Sequence, residues 1–319
     1  MHSFRRWLLA GLVLCLGAFG LTGCGQVDKT FHRPNLVVLT PEQSRLIILD
    51  SAANRILLAD RQFRYQGEIA VPEGNKIWGL DITPDNEIAI TNRREEVQAF
   101  TEEERQASSV AEVLFYSMSG AVTNHLQWKG GDGPINTPAA IRCLPDGTFW
   151  VSDFQLNKLV HFDRAGNVLS TFGTFGYDPG QIYYPNDFTI ASDGRILVSE
   201  SYNFRLSLFA PDGTFLRTFG EKGWDEGKLM FPQNVVYDSQ GNMHVTEMST
   251  MRISTFAPDG RFLRATYPLK QGMEAEYLQM FGLAVASDTG EMFVADSLNG
   301  QVYVIASDGR LVRSLSGLD

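Results

Sequence analysis

The chain has 319 residues, 44% of them hydrophobic, with 37 Asp and Glu against 27 Lys and Arg and a net charge of −10. That length can bury a full core without disulfide staples. The acidic balance repels a phosphate backbone, which excludes nucleic acid as an expected partner.

Residues 1–23 read as a processing signal. Arg5 and Arg6 precede an uncharged apolar run, Trp7 to Leu21, which is short of the ~20 apolar residues of a spanning helix. The run ends in Leu21-Thr22-Gly23-Cys24, which resembles the bacterial lipobox. The resemblance implies that Cys24 becomes a lipidated first residue, that residues 24–33 are a short linker, and that the lipid tethers the chain to a membrane. Gly25 in place of Asp favours the outer membrane if the cell is diderm, again by resemblance. Loss of the signal leaves 25 basic against 37 acidic residues, a net charge of −12. Cys143 is then the one cysteine left for the body of the chain, and its apolar strand context predicts an inert thiol.

From residue 34 onward an internal repeat organises the sequence. Pro138, Pro185 and Pro232 are 47 residues apart, and Asp153, Glu200, Glu247 and Asp296 follow at intervals of 47, 47 and 49. Within each copy, short apolar runs are separated by turns such as Ala210-Pro211-Asp212-Gly213 and Ala257-Pro258-Asp259-Gly260. Asp-Gly between apolar runs is a hairpin signal. One unit therefore reads as four short strands, and neighbouring units must cover its two faces. Six units are countable: about Pro34–Val71, Lys76–Trp128, Thr137–Gly173, Tyr184–Gly220, Phe231–Tyr267 and Met280–Leu315. The predicted fold is all-β, a six-bladed β-propeller of four-stranded antiparallel blades over residues 34–319. An insertion at about 95–110 in the second blade, with Glu102-Glu103-Glu104, reads as a charged flap. No unit is split between the chain ends, so the ring is expected to close by side-chain packing of the first blade on the last.

The unit itself resembles the NHL repeat. A proline, an apolar strand, Asp-Gly, a strand ending in Asp or Glu, then an Asn, a basic residue and a final Phe-Gly make the pattern. Asp153-Phe154-Gln155-Leu156-Asn157-Lys158 and Glu200-Ser201-Tyr202-Asn203-Phe204-Arg205 carry it best. The second unit departs, with Thr91-Asn92-Arg93 where the acid is expected, and the fifth lacks the Asn.

The periodic acids, Asp50, Asp153, Glu200, Glu247 and Asp296, serve the repeat: a carboxylate before a turn accepts backbone N–H groups and pairs with the following base. The residue two after each repeat proline is Leu36, Gly79, Ala140, Asp187, Asn234 and Gly282 in turn. Asp187 and Asn234, on adjacent blades, are candidates for a ligand or metal at the channel mouth, with Asn186 and Gln233 beside them. A carboxylate and an amide suit a hard cation, Ca²⁺ above all, and resemblance to gluconolactonase-like propellers implies the same. His161 and His244 fall at outer-strand and second-strand positions and His32 in the linker. That disfavours the channel-histidine chemistry of the amidating-lyase and virginiamycin-lyase propellers, which share this architecture. Tyr177, Tyr183, Tyr184, Trp224 and Tyr277 fall in inter-blade loops on one face and are candidate binding residues. The expected function is a non-catalytic binding or scaffold propeller for a protein or other ligand. The alternative is a metal-dependent hydrolase or lyase.

Overall fold

The computed structural model describes residues 27–71, 76–95, 101, 108–129, 133–268 and 276–319. The signal, Cys24 and most of the insertion lie outside them.

Among the described residues, twenty-four strands form six four-stranded sheets, each a sequential antiparallel meander. The innermost strands are β1 (Pro34–Leu39), β5 (Lys76–Ile82), β9 (Pro138–Cys143), β13 (Pro185–Ile190), β17 (Pro232–Tyr237) and β21 (Met280–Val285). The second strands are buried on both sides, as in β10 (Phe149–Asp153), β14 (Ile196–Glu200), β18 (Met243–Glu247) and β22 (Met292–Asp296). Outer strands such as β12 (Val168–Phe172) are largely exposed. This gradient explains why the inner runs are near-continuously apolar while the outer ones alternate with polar residues. Apolar side chains fill the gaps between blades; Phe115, Phe149 and Phe162 do so between the second and third. The hairpin turns use the positive φ that glycine tolerates, 84° at Gly147 and 85° at Gly213.

The seam differs from the side-chain closure expected. Phe31 N–H donates to the Ser316 carbonyl at 2.7 Å, and Leu318 N–H donates to that of Lys29 at 2.9 Å. Asp319 exchanges backbone bonds with Phe63 and Tyr65 in the first blade at 2.9 and 3.0 Å. Arg61 of the first blade pairs with Asp288 and Glu291 of the last at 2.6 and 3.1 Å. Phe31 and Leu318 are buried in the apolar cluster shared by these two blades. Residues 29–31 are thus part of the closed ring, stitched by hydrogen bonds as well as packing.

In the second blade, β6 (Ile88–Glu95) and β7 (Ser109–Tyr116) remain paired out to Glu95 and Ser109. The ends of the expected insertion are therefore regular strand.

Candidate functional site

The inner strands surround a central cavity of about 840 Å³. Each strand begins at the face that carries the inter-blade loops, and a register irregularity follows the first residues of β1, β5, β13, β17 and β21. Neighbouring backbones come very close there. A Cβ at Gly79 would collide with the Ala139 carbonyl, and one at Gly282 would sit 2.7–2.8 Å from the backbone of Asn35, Leu36 and Val37. Glycine is needed at these two positions for close approach.

Asp187 and Asn234 do line the cavity together, with Asn186 and Gln233. Asn186 Nδ2 donates to Gln233 Oε1 at 3.1 Å across the blade gap. The Asp187 carboxylate is held on both oxygens: Arg142 Nη2 donates to Oδ1 at 2.6 Å and Val235 N–H to Oδ2 at 3.0 Å. Asn234 is 7% exposed, and its Oδ1 is buried with no hydrogen-bond partner. A buried acceptor without a donor costs about 1–3 kcal/mol.

Two residues further along the inner strands, the second and third blades bring Asp81 and Arg142 to the same wall. Asp81 Oδ2 accepts the Cys143 N–H at 2.7 Å. Burial pushes the carboxyls of Asp81 and Asp187 above the ordinary carboxylate range, against the pull of Arg142. The Cys143 thiol is also pushed up by burial, as an inert thiol would be. Neither Asp81 nor Arg142 was singled out by the repeat. No group of three or more His, Cys, Asp or Glu placed to hold a metal occurs among the described residues.

Above this wall an arc of aromatic rings borders the mouth. Trp78 meets Phe154 at 5.0 Å between centroids, Phe154 meets Tyr184 at 4.8 Å, Tyr184 meets Tyr202 at 4.7 Å, and Tyr202 meets Phe231 at 5.9 Å. Tyr183 stacks on Tyr202 and carries the arc outward to Phe175 and Tyr177. Tyr184 and Phe231, each just before a repeat proline, have left-handed backbones, φ 59° and 50°. Each such bulky residue costs roughly 1–3 kcal/mol, and strain of this kind gathers where a site needs it.

The exposed candidates are held from beneath. Arg205 reaches the carbonyls of Tyr177, Asp178 and Gln181 at 2.8–3.0 Å, and Arg252 those of Trp224, Asp225 and Lys228 at 2.7–3.0 Å. Their partners are the periodic acids Glu200 and Glu247, bonded at 3.1 and 2.8 Å. Asp50 likewise accepts the N–H groups of His32 and Arg33, and Asp153 those of Asn136, Thr137, Gln155 and Leu156. Each acid thus ties an inter-blade loop to its own blade. Tyr177, Trp224 and Tyr277 are left 65%, 64% and 64% exposed. Trp224 and Tyr277 flank a shallow apolar groove with Met248 and Leu298.

The described histidines stand away from the channel. His161 stacks on Trp150, His244 bonds Asp238 and Thr255, His125 bonds Glu112, and His32 bonds Asp28.

No family model and no curated protein matches this chain. Solved structures do. A catalytically inactive histidine-to-alanine form of virginiamycin B lyase from Staphylococcus aureus, with quinupristin, superposes with a TM-score of 0.59 at 14% identity, over 89% of this chain and 85% of that one. A protein of unknown function from Bacteroides caccae gives 0.60 at 16% identity, over 85% and 93%. A streptogramin B lyase gives 0.58 at 13% identity, over 85% and 93%. At these identities the likeness shows the propeller fold alone.

Proposed function

We propose that this chain is a lipid-anchored binding propeller of the bacterial cell envelope, tethered through Cys24 and holding a ligand, protein or small molecule, at the mouth of its channel. The observation that carries the reading is the mouth itself. An open cavity lies under a strained aromatic arc, with Asp187, Asn186, Gln233 and Asn234 on its wall. Rigid aromatics around a concave site are the usual material of a binding face.

No described histidine lines the cavity, which favours the binding reading over histidine chemistry of the kind suggested by the staphylococcal lyase, inactive as a histidine-to-alanine form. The fold shared with the lyases keeps an enzymatic reading in view, a hydrolase or lyase with a cation at Asp187 and Asn234. Calcium there would have to displace Arg142 from Asp187. Gly25 after Cys24 favours the outer membrane for the proposed tether if the cell is diderm.

One experiment addresses tether and face together. A photocrosslinking residue is placed at Tyr202 on the rim or at Leu263 on an outer strand, in the full chain and in its Cys24→Ser form. The full chain is expected in the membrane fraction, with adducts from position 202 and not from 263. The Cys24→Ser form is expected as a soluble product or unprocessed precursor. Unchanged membrane attachment of Cys24→Ser would remove the tether; equal adducts from both positions would remove the rim.

A further inference from the structure

The segment before the first blade occupies the place of an inter-blade loop. Arg55, Arg205 and Arg252 each open the third strand of a blade, five residues after Asp50, Glu200 and Glu247. Arg205 and Arg252 hold the carbonyls 27 residues upstream, those of Asp178 and Asp225. Arg55 likewise donates to the carbonyl 27 residues upstream, that of Asp28, and to that of Thr30 at 2.7 Å. Asp28 therefore stands where Asp178 and Asp225 stand, and Val27, 47% exposed, falls where Tyr177 and Trp224 do. The chain thus joins the ring at the loop face, and Cys24 lies three residues before Val27. Three residues reach about 11 Å at most.

The exposed aromatics share that face. Phe175, Tyr177, Tyr202, Trp224 and Tyr277 stand on it, and Trp78 at its rim. Among the described residues, the exposed large apolar side chains away from this face are aliphatics of outer strands, such as Val168, Leu216 and Leu263. The opposite face carries the Asp-Gly turns, with Asp146, Asp212, Asp259 and Asp308 exposed and no exposed large apolar group. Tyr177, Trp224, Tyr277 and the segment from Val27 fall in four successive gaps between blades. Tyrosine and tryptophan settle at the headgroup level of a bilayer, where ring and polar tip are both served. Exposed acids are repelled by anionic headgroups, which turns the opposite face away. Trp224 is flanked by Lys222 and Lys228 as well as by Asp225 and Glu226, so the rings and not net charge would make the contact.

Resting on the reading of Cys24 as the lipidated residue, we infer that the loop face lies against the bilayer that holds the anchor, with Tyr177, Trp224 and Tyr277 in its headgroup layer. The short tether keeps the lipid surface at a high local concentration, so a shallow contact through a few rings suffices. The channel mouth then opens toward the headgroups, and the acidic turns face away from them.

The test uses the full chain, purified with its native anchor, in vesicles of phosphatidylethanolamine and phosphatidylcholine that carry a nitroxide quencher on the headgroup. A fluorophore is attached at Leu298→Cys on the loop face or at Ser192→Cys on the opposite face, each in a Cys143→Ser background. Emission from position 298 is expected to be lost to the quencher and emission from 192 kept, in low and high salt alike. Trp224→Ser combined with Tyr277→Ser should restore emission at 298 while the protein still floats with the vesicles. Both side chains are 64% exposed, so the fold is not at stake, and the comparison of 298 with 192 stands without the double variant. Equal emission from 298 and 192 on attached protein, as a loop face turned to a protein partner would give, overturns the docking and leaves the tether. Quenching at 298 that the double variant keeps also overturns it. Protein that does not float with the vesicles removes the tether, and the docking with it.

Discussion

Replacing Arg252 by alanine is expected to lower stability by about 3–5 kcal/mol, the cost of breaking a buried ion pair by removing one partner. The Arg252 side chain is 1% exposed and that of Glu247 is fully buried. The guanidinium donates to Glu247 Oε1 at 2.8 Å and to three loop carbonyls. The alanine variant strands the carboxylate and leaves those carbonyls without their donor. For a ring of this size the apparent melting temperature should fall by roughly 5–8 °C. Arg252→Lys keeps the charge and loses the fork, so it should recover only part of the loss. Urea denaturation of the three proteins checks this, and a change under about 1 kcal/mol for the alanine variant would refute it. The same change should loosen the loop that carries Trp224, which links a core pair to the binding face.

The second large effect concerns the seam. Phe31→Ala empties an aromatic site in the cluster shared by the first and last blades, with an expected loss of about 3–5 kcal/mol. Phe31 is 4% exposed, and its N–H also closes the ring onto Ser316. The effect should be local before it is global. Hydrogen exchange should accelerate first at Leu318 and Asp319, whose N–H groups cross the seam to Lys29 and Phe63. Uniform acceleration around all blades, with the seam no faster than the rest, would contradict this picture.

The fold was legible because a propeller writes its plan repeatedly. The 47-residue spacing of Pro138, Pro185 and Pro232 set the blade count, and those prolines do begin β9, β13 and β17. The periodic acids were legible for the same reason, since each accepts a backbone N–H from the loop before its blade, although only Asp50, Glu200 and Glu247 pair with a following arginine. The channel charges were not. Arg142 and Asp187 are 45 residues apart and lie in different blades, and Asp81 has no acidic counterpart at its repeat position in the others. A site made from exceptions cannot be found by averaging copies. Gly79 and Gly282 looked merely small in the alignment, whereas backbone crowding dictates them. Of the arc, Tyr184 was visible as a loop aromatic. Trp78, Phe154, Tyr202 and Phe231 occupy different repeat positions, and only ring closure brings them into one line. The stitched seam was missed because the segment before Pro34 carries no repeat pattern.

The central claim is that the ligand sits at the channel mouth, between the aromatic arc and the wall of Asp81, Asp187 and Asn234. Native mass spectrometry of the protein released gently from its own membranes tests it most directly. Wild type is compared with a variant carrying Tyr184→Ala and Tyr202→Ala, its β content verified by circular dichroism. The account predicts a bound mass on the wild type that is absent from the folded double variant. A wild type with no added mass, or the same added mass on both proteins, would contradict it.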